Sequence, residues 1–395
     1  MISRAATPAL KRLAAWYPAV AITGPRQAGK TTLARAVFPD KPYVSLEDPD
    51  QREFATNDPR AFLGQFPEGA ILDEVQRVPE LFSWLQGRLD EDRRMGLFIL
   101  TGSQQFDLLQ GVSQSLAGRV GALHLLPFSA GELLGTPHAP ASLEKMLLGG
   151  FYPPLFDRDI PPHVWYADYV STYVERDLRQ MINIRDLSAF RRFLRMCAAR
   201  TGQLLNLSAL AGDCGVTHNT AKSWISVLEA SYLVALLPPW HRNLGKRLIK
   251  APKLYFLDTG LAAWLAGIRK AEDLALGSMR GPLFETWVVS EFIKYRHNHA
   301  LPDELYFWRD AHGNEIDLLV ERGPETVFAV ECKAGQTVAG DWFKSLQGFC
   351  EAAGCEHSAL IYGGKADQPR SRFPVYGWMS ASRLLAVAFG GRNEV

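Results

Sequence analysis

The stretch GPRQAGKTT, Gly24 to Thr32, follows the apolar run AVAIT (Ala19 to Thr23) and leads into the helix-patterned segment TTLARAVF. It carries the G-x-x-x-x-G-K-[ST] spacing where that chemistry needs it, between a strand and a helix. Gly24 and Gly29 let the backbone turn its N–H groups toward phosphate oxygens, and the helix N-terminus adds a favourable partial charge. The reading predicts that Gly24, Pro25, Arg26, Gln27, Ala28, Gly29, Lys30, Thr31 and Thr32 cradle ATP. Lys30 would reach the β- and γ-phosphates, and Thr31 would offer its hydroxyl to Mg2+.

An ordinary glycine turn before a helix is the plain alternative, and a second element downstream weighs against it. AILDE (Ala70 to Glu74) is a buried-strand pattern that ends in two acids. At a strand terminus Asp73 is expected to hold Mg2+ through a water, and Glu74 to polarise the attacking water. A third run, LFILTGS (Leu97 to Ser103), brings Thr101 and Ser103 to the same carboxyl edge, where ligands gather in open α/β sheets. Either hydroxyl is a candidate γ-phosphate sensor, with a hydrogen-bonded turn as the competing reading. In SLAGRV, Arg119 is placed as an arginine finger for a neighbouring subunit's nucleotide; a solvated charge is the alternative. With YVSL (Tyr43 to Leu46) these runs alternate with helical patterns, which predicts an α/β domain on a mostly parallel sheet.

The 395 residues exceed what one core organises, so two or three domains are expected. Lys and Arg number 43 against 42 Asp and Glu, which excludes a global field that would draw the chain to nucleic acid or an anionic membrane. No apolar run approaches a membrane span and the N-terminus lacks a cleavable signal pattern, so a cytoplasmic location without membrane contact is expected. Five scattered cysteines read as reduced core thiols.

The predicted division is an ATPase domain over 1–127, a helical lid or linker over 128–200, a winged helix over 201–280 and a second α/β domain over 281–395. From about Phe128, WYADYVSTYVERDLRQM and AFRRFLRMCAAR read as amphipathic helices. Leu205 to Leu237 reads as helix, turn, helix, and two apolar runs flank the basic segment HRNLGKRLIKAPKLYFLD. After Gly281 come a helix (LFETWVVSEFIKYR), three strands (ELYFWRD, EIDLLVER, TVFAVECK) and a helix over Phe343 to Ala353.

In GPRQAGKT, LDEVQRVP, FILTGSQQF, SLAGRV and NLGKRLIKAPKLYFLDTGL, taken in that order, the chain resembles a prokaryotic AAA+ family whose ATPase domain precedes a C-terminal domain of unknown function. The resemblance covers nearly the whole chain. It implies an oligomeric ATPase, with a ring as the expected assembly, a winged-helix segment, and a C-terminal region similar to the restriction-endonuclease-like PD-(D/E)xK fold.

Two further constellations follow. In the helix-turn-helix, Thr217, His218, Asn219, Lys222 and Ser223 project from the start of the second helix, where base edges are met. Arg242, Lys246, Arg247, Lys250 and Lys253 would neutralise phosphates, making DNA the expected partner. A protein-docking module is the alternative. In NEIDLLVERGPETVFAVECKAG, Asp317 on one strand faces Glu331 and Lys333 on the next, and Glu285 lies on the preceding helix. Glu285, Asp317 and Glu331 are candidate ligands for a second Mg2+, with Lys333 steadying a hydroxide or phosphate and Gln347 adding a polar contact. Three readings compete: an ATPase that remodels DNA or DNA-bound protein, a nucleotide-gated switch with a degenerate nuclease-like domain, and an ATP-regulated metal-dependent nuclease.

Overall fold

Ala19–Thr23 (β1) is buried at every position, as a strand covered by helices on both faces must be. It lies between Phe98–Thr101 (β4) and Val120–His124 (β5). Ala70–Asp73 (β3) and Tyr43–Ser45 (β2) extend the sheet in the order β2-β3-β4-β1-β5, and every pairing is parallel. The computed structural model describes residues 2–102, 116–158, 160–174, 186–240, 251–323 and 326–390.

Alternation along each strand feeds two separate cores. Ala19, Ala21, Leu72, Phe98 and Leu100 face the helix Leu81–Glu91, which contributes Leu81, Phe82, Leu85 and Leu89. Val20, Ile22, Ile71, Ile99 and Leu123 face the helices Thr7–Trp16 and Lys30–Val37. Each fully buried large side chain stabilises the sheet by about 1.5–3 kcal/mol relative to exposure. The chain separates into two compact units, the first made of Met1–Phe128, Ala230–Tyr232 and Arg296–Leu301. The sequence reading misses β5 and the helix Thr7–Trp16, because VGALH is only five residues with two large apolar side chains and MISRAATPALKRL offers only a modest apolar stripe.

The second unit comprises Ser129–Glu229, Leu233–Tyr295 and Pro302–Val395. In it, the helix Leu207–Cys214 ends on Gly215 in the left-handed region, where Val216 N–H closes the turn on Ala211 O at 3.0 Å. The helix His218–Ala230 follows, with Thr217 Oγ1 accepting from Thr220 N–H at 3.1 Å. Gln203–Leu204 (β6), Val234–Leu237 (β7) and Lys253–Phe256 (β8) form an antiparallel sheet in the order β6-β8-β7. Phe190 and Phe193, from the helix Leu187–Ala199, pack edge-on against Trp224.

A second five-stranded sheet follows the helix Arg280–His299, in the order β13-β12-β11-β10-β9. Glu315–Gly323 (β10) runs antiparallel to both of its neighbours, Leu305–Arg309 (β9) and Thr326–Lys333 (β11). His357–Tyr362 (β12) and Val375–Gly377 (β13) run parallel to β11 and to each other. Leu346, Phe349 and Cys350 of the helix Lys344–Ala353 cover one face. The chain is therefore α/β: a parallel five-stranded sheet, a helical region and a C-terminal mixed sheet. Among the described residues, no helix is long and apolar enough to cross a membrane.

Candidate functional site

The register of the parallel sheet assembles the first site. Ile22 lies beside Thr101 and Leu72 beside Leu100, so the chain leaves β1, β3 and β4 at one edge. The turn after β1 holds Gly24 at φ 146°, Gln27 at φ 62° and Gly29 at φ 90°. A Cβ on Gly24 would lie 2.0 Å from Leu125 O, so only glycine lets the loop pass that carbonyl. Lys30 follows as the first residue of its helix. Its Nζ donates to Gly24 O at 2.9 Å and to Pro25 O at 2.8 Å, so the ammonium lies back along the loop. Burial lowers its pKa to about 8, against the pull of Glu74 and Asp73.

Asp73, at the end of β3, collects three hydroxyl donors. Thr31 Oγ1 lies 3.1 and 3.0 Å from its two oxygens, and Tyr43 OH donates at 2.8 Å. Thr101 Oγ1 donates to Asp73 Oδ1. Thr101 thus serves the carboxylate from β4. Tyr43 was missed, because a tyrosine opening a three-residue strand looks like any other strand residue. Glu74 stands outside β3 in the left-handed region, at φ 54° and ψ 43°, which costs a non-glycine residue energy and turns its carboxylate away from the strand direction. Gln76 Nε2, unremarked in the sequence, donates to Glu74 Oε2.

Arg119 makes a bidentate pair with Asp90, at 2.7 and 3.0 Å, and also donates to Ala117 O at 3.1 Å. An arginine finger would first have to leave that partner. Thr23, the last residue before the loop, is tied into a further cluster. Its hydroxyl lies 2.6 Å from His124 Nδ1 and 2.8 Å from Tyr232 OH, and those two groups lie 2.6 Å apart. Burial lowers the His124 pKa to about 4, so the ring is neutral at physiological pH.

Thr217, His218, Asn219, Lys222 and Ser223 are exposed together at the start of the helix His218–Ala230, with the Thr217 hydroxyl engaged as the cap. Ser103, Arg242, Lys246, Arg247 and Lys250 lie outside the described residues. Lys253, expected to meet phosphate, is 2% exposed. Its Nζ lies 2.8 Å from Glu285 Oε1, pairs with Glu315 Oε1, and stands 3.9 Å from Asp317 Oδ1.

That lysine alters the second predicted site. The carboxylates whose oxygens come within 4.8 Å of one another belong to Glu285, Glu315 and Asp317. Glu315, two residues before Asp317, replaces Glu331 in the expected trio; its i, i+2 spacing was a legible signal. Glu331 Oε1 instead accepts from Lys333 Nζ at 2.6 Å, so Lys333 is paired within its own strand. Tyr255 OH donates to Glu285 at 2.6 Å and Cys332 N–H to Asp317 at 2.8 Å. Burial and neighbouring acids raise Glu285 to about 7 and Glu331 to about 8. Gln347 bonds to Glu351 at 3.0 Å on an exposed helix face and does not join the trio.

An AAA domain family matches residues 17–134. Residues 140–272 match a domain of unknown function, DUF8612, and residues 280–380 another, DUF4143. The chain is 33% identical over 322 residues to "Uncharacterized protein Rv2008c" of Mycobacterium tuberculosis and equally to "Uncharacterized protein Mb2031c" of Mycobacterium bovis. Each match covers 80% of this chain and 71% of the relative. Among solved structures it is similar to the Walker-type ATPase PABY2304 of Pyrococcus abyssi, with 15% identity, a TM-score of 0.43, and 67% of this chain and 96% of that one covered. The RuvB Holliday junction branch migration motor of Thermotoga maritima matches at 19% identity and a TM-score of 0.27, over 59% of this chain and 86% of that one. The chain belongs to one family with the mycobacterial proteins Rv2008c and Mb2031c, and its residues 17–134, which hold the glycine loop and the acid-bearing strand, form an AAA domain.

Proposed function

We propose that the protein binds ATP in the loop Gly24 to Thr32 and hydrolyses it with the help of Mg2+. The observation that carries this reading is the meeting of Lys30, Thr31 and Asp73 at one edge of the sheet, with Thr31 Oγ1 about 3 Å from the Asp73 carboxylate. A hydroxyl and a carboxylate at that separation are the oxygen donors a hard cation prefers, so these residues fit Mg2+. When bound, Mg2+ neutralises phosphate charge in the transfer step.

The chain's own residues do the rest. Loop N–H groups and the N-terminus of the helix Lys30–Val37 orient the phosphates. Lys30 exchanges two carbonyl partners for phosphate oxygens, whose charge favours its protonated form. Tyr43 and Thr101 hold Asp73 in place, and Glu74 accepts the proton of the attacking water. Replacing Glu74 with Gln should leave nucleotide binding within about twofold and slow turnover by about 100-fold or more. Unchanged phosphate release by Glu74→Gln would remove Glu74 from this role.

A second reading, a switch that holds nucleotide and turns it over rarely, draws on the Gln76–Glu74 bond. Under it, Gln76→Ala removes this hold on the carboxylate and raises the steady-state rate; under the first reading the rate does not rise. We further propose that the exposed start of the helix His218–Ala230, within a winged helix, meets DNA, and that the ATPase works as an oligomer. DNA-stimulated hydrolysis that Lys222→Glu weakens would support the first, and light scattering tests the second.

A further inference from the structure

We propose that the ammonium of Lys253 is the resident cation of the C-terminal acidic pocket, so that this lysine and a divalent metal ion are mutually exclusive occupants of one position. The inference stands apart from the nucleotide site and does not rest on the reading given for it.

The sequence pattern D…ExK anticipates a metal held by carboxylates of a helix and two strands. The residues present do not fit that expectation. Nζ of Lys253 lies among the three carboxylates that approach one another, 2.8 Å from Glu285, in contact with Glu315 and 3.9 Å from Asp317. A divalent ion bound by the same oxygens would meet an ammonium inside its first coordination sphere. Such like-charge contact is not tolerated in a buried setting.

The lysine's root is fixed as firmly as its head. Lys253 opens β8, the central strand of its sheet, and pairs with Leu204 on one side and Leu237 on the other. Its ammonium also lies 5.6 Å from the Phe307 ring centroid. Further donors come from within the same unit: Tyr255 OH to Glu285 Oε1, Arg309 Nη1 to Glu315 Oε2 and Cys332 N–H to Asp317 Oδ2. The acids that would otherwise call for a metal thus already face the ammonium of Lys253 and, at Glu315, the guanidinium of Arg309 3.2 Å away. Removing the ammonium would leave three partly buried carboxylates within reach of one another, a donor set that a hard divalent ion satisfies.

The test is Mn2+ binding to the full-length, nucleotide-free protein, counted by electron paramagnetic resonance of free Mn2+. The proteins compared are wild type, Asp317→Asn, Lys253→Met and Lys253→Met/Asp317→Asn. The nucleotide site is common to all four and cancels. Wild type and Asp317→Asn should bind equal amounts, Lys253→Met should gain one Mn2+ per chain with an affinity at least about tenfold above any wild-type binding there, and the double variant should lose the gain. A wild-type Mn2+ that Asp317→Asn removes would overturn the proposal, and so would a folded Lys253→Met that gains none. If Lys253→Met fails to fold, the comparison of wild type with Asp317→Asn decides alone: equal binding upholds exclusion and unequal binding overturns it.

Discussion

On the proposed reading, nucleotide affinity turns on Lys30. Its usual pKa of 10.5 falls to about 8 because the loop buries it, so the folded chain gives up the proton at a pH where the unfolded chain keeps it. Two consequences have definite signs. The unliganded fold gains stability as pH rises from 8 to 10.5, because the unfolded state binds more protons across that window. ATP needs the charged form, so its affinity should be full below pH 8 and fall by up to about tenfold per pH unit above it. Calorimetric titration of ATP at several pH values checks this, and a flat profile would show that Lys30 keeps its charge or makes no phosphate contact. Asp73 depends on its donors in the same local way. Thr101→Val removes a buried hydroxyl from Asp73 Oδ1 and should destabilise the fold by about 1–3 kcal/mol in urea denaturation.

At the scale of the elements, what could be read from sequence divides by how local the cause is. The P-loop strand and helix were legible to the residue, because glycine positions and the apolar run AVAIT are local signals; β1 spans Ala19–Thr23 as expected. Asp73 was legible because β3 ends on it. Its company was not: Tyr43 and Thr101 reach it only through the register of β2 and β4, which no short-range pattern encodes. Lys253 shows the limit most clearly. In sequence it closes a basic run and looks like a phosphate contact; in the fold it begins a fully buried strand and meets three acids that lie 32, 62 and 64 residues further on.

The ends of β1 and β5 carry their own prediction. His124 is held neutral beside Thr23 and Tyr232, with its pKa lowered from 6.5 to about 4. The unfolded state therefore binds more protons between pH 6.5 and 4, so stability present above that window is lost as pH falls through it. The loss from His124 alone should approach about 3 kcal/mol, and buried His297, also lowered, adds to it. Urea denaturation at pH 7 and pH 5 measures the difference, and His124→Asn should flatten it; equal stability at both values would place the imidazole in water.

For the whole molecule, the two compact units pose separate chemical problems. The first gathers oxygen donors around a lysine whose ammonium hydrogen-bonds to backbone carbonyls rather than to a carboxylate, an arrangement that leaves its charge available to a phosphate. The second gathers carboxylates around a lysine that they hold fast. Activity is thereby expected from the first and not from the carboxylates of the second. Arg119, paired with Asp90, is likewise committed within its own chain. If the oligomer uses it on a neighbouring nucleotide, Asp90→Asn should raise the rate, with Arg119→Ala lowering it only at concentrations where the chains associate.

The most direct test of the central claim is release of inorganic phosphate from ATP by the wild-type protein and by Lys30→Ala, each with Mg2+ and with the metal chelated. Wild type should release phosphate only when Mg2+ is present, and Lys30→Ala should fall to the level of a protein-free control. Equal release by the two proteins would show that the glycine loop is not where ATP is hydrolysed.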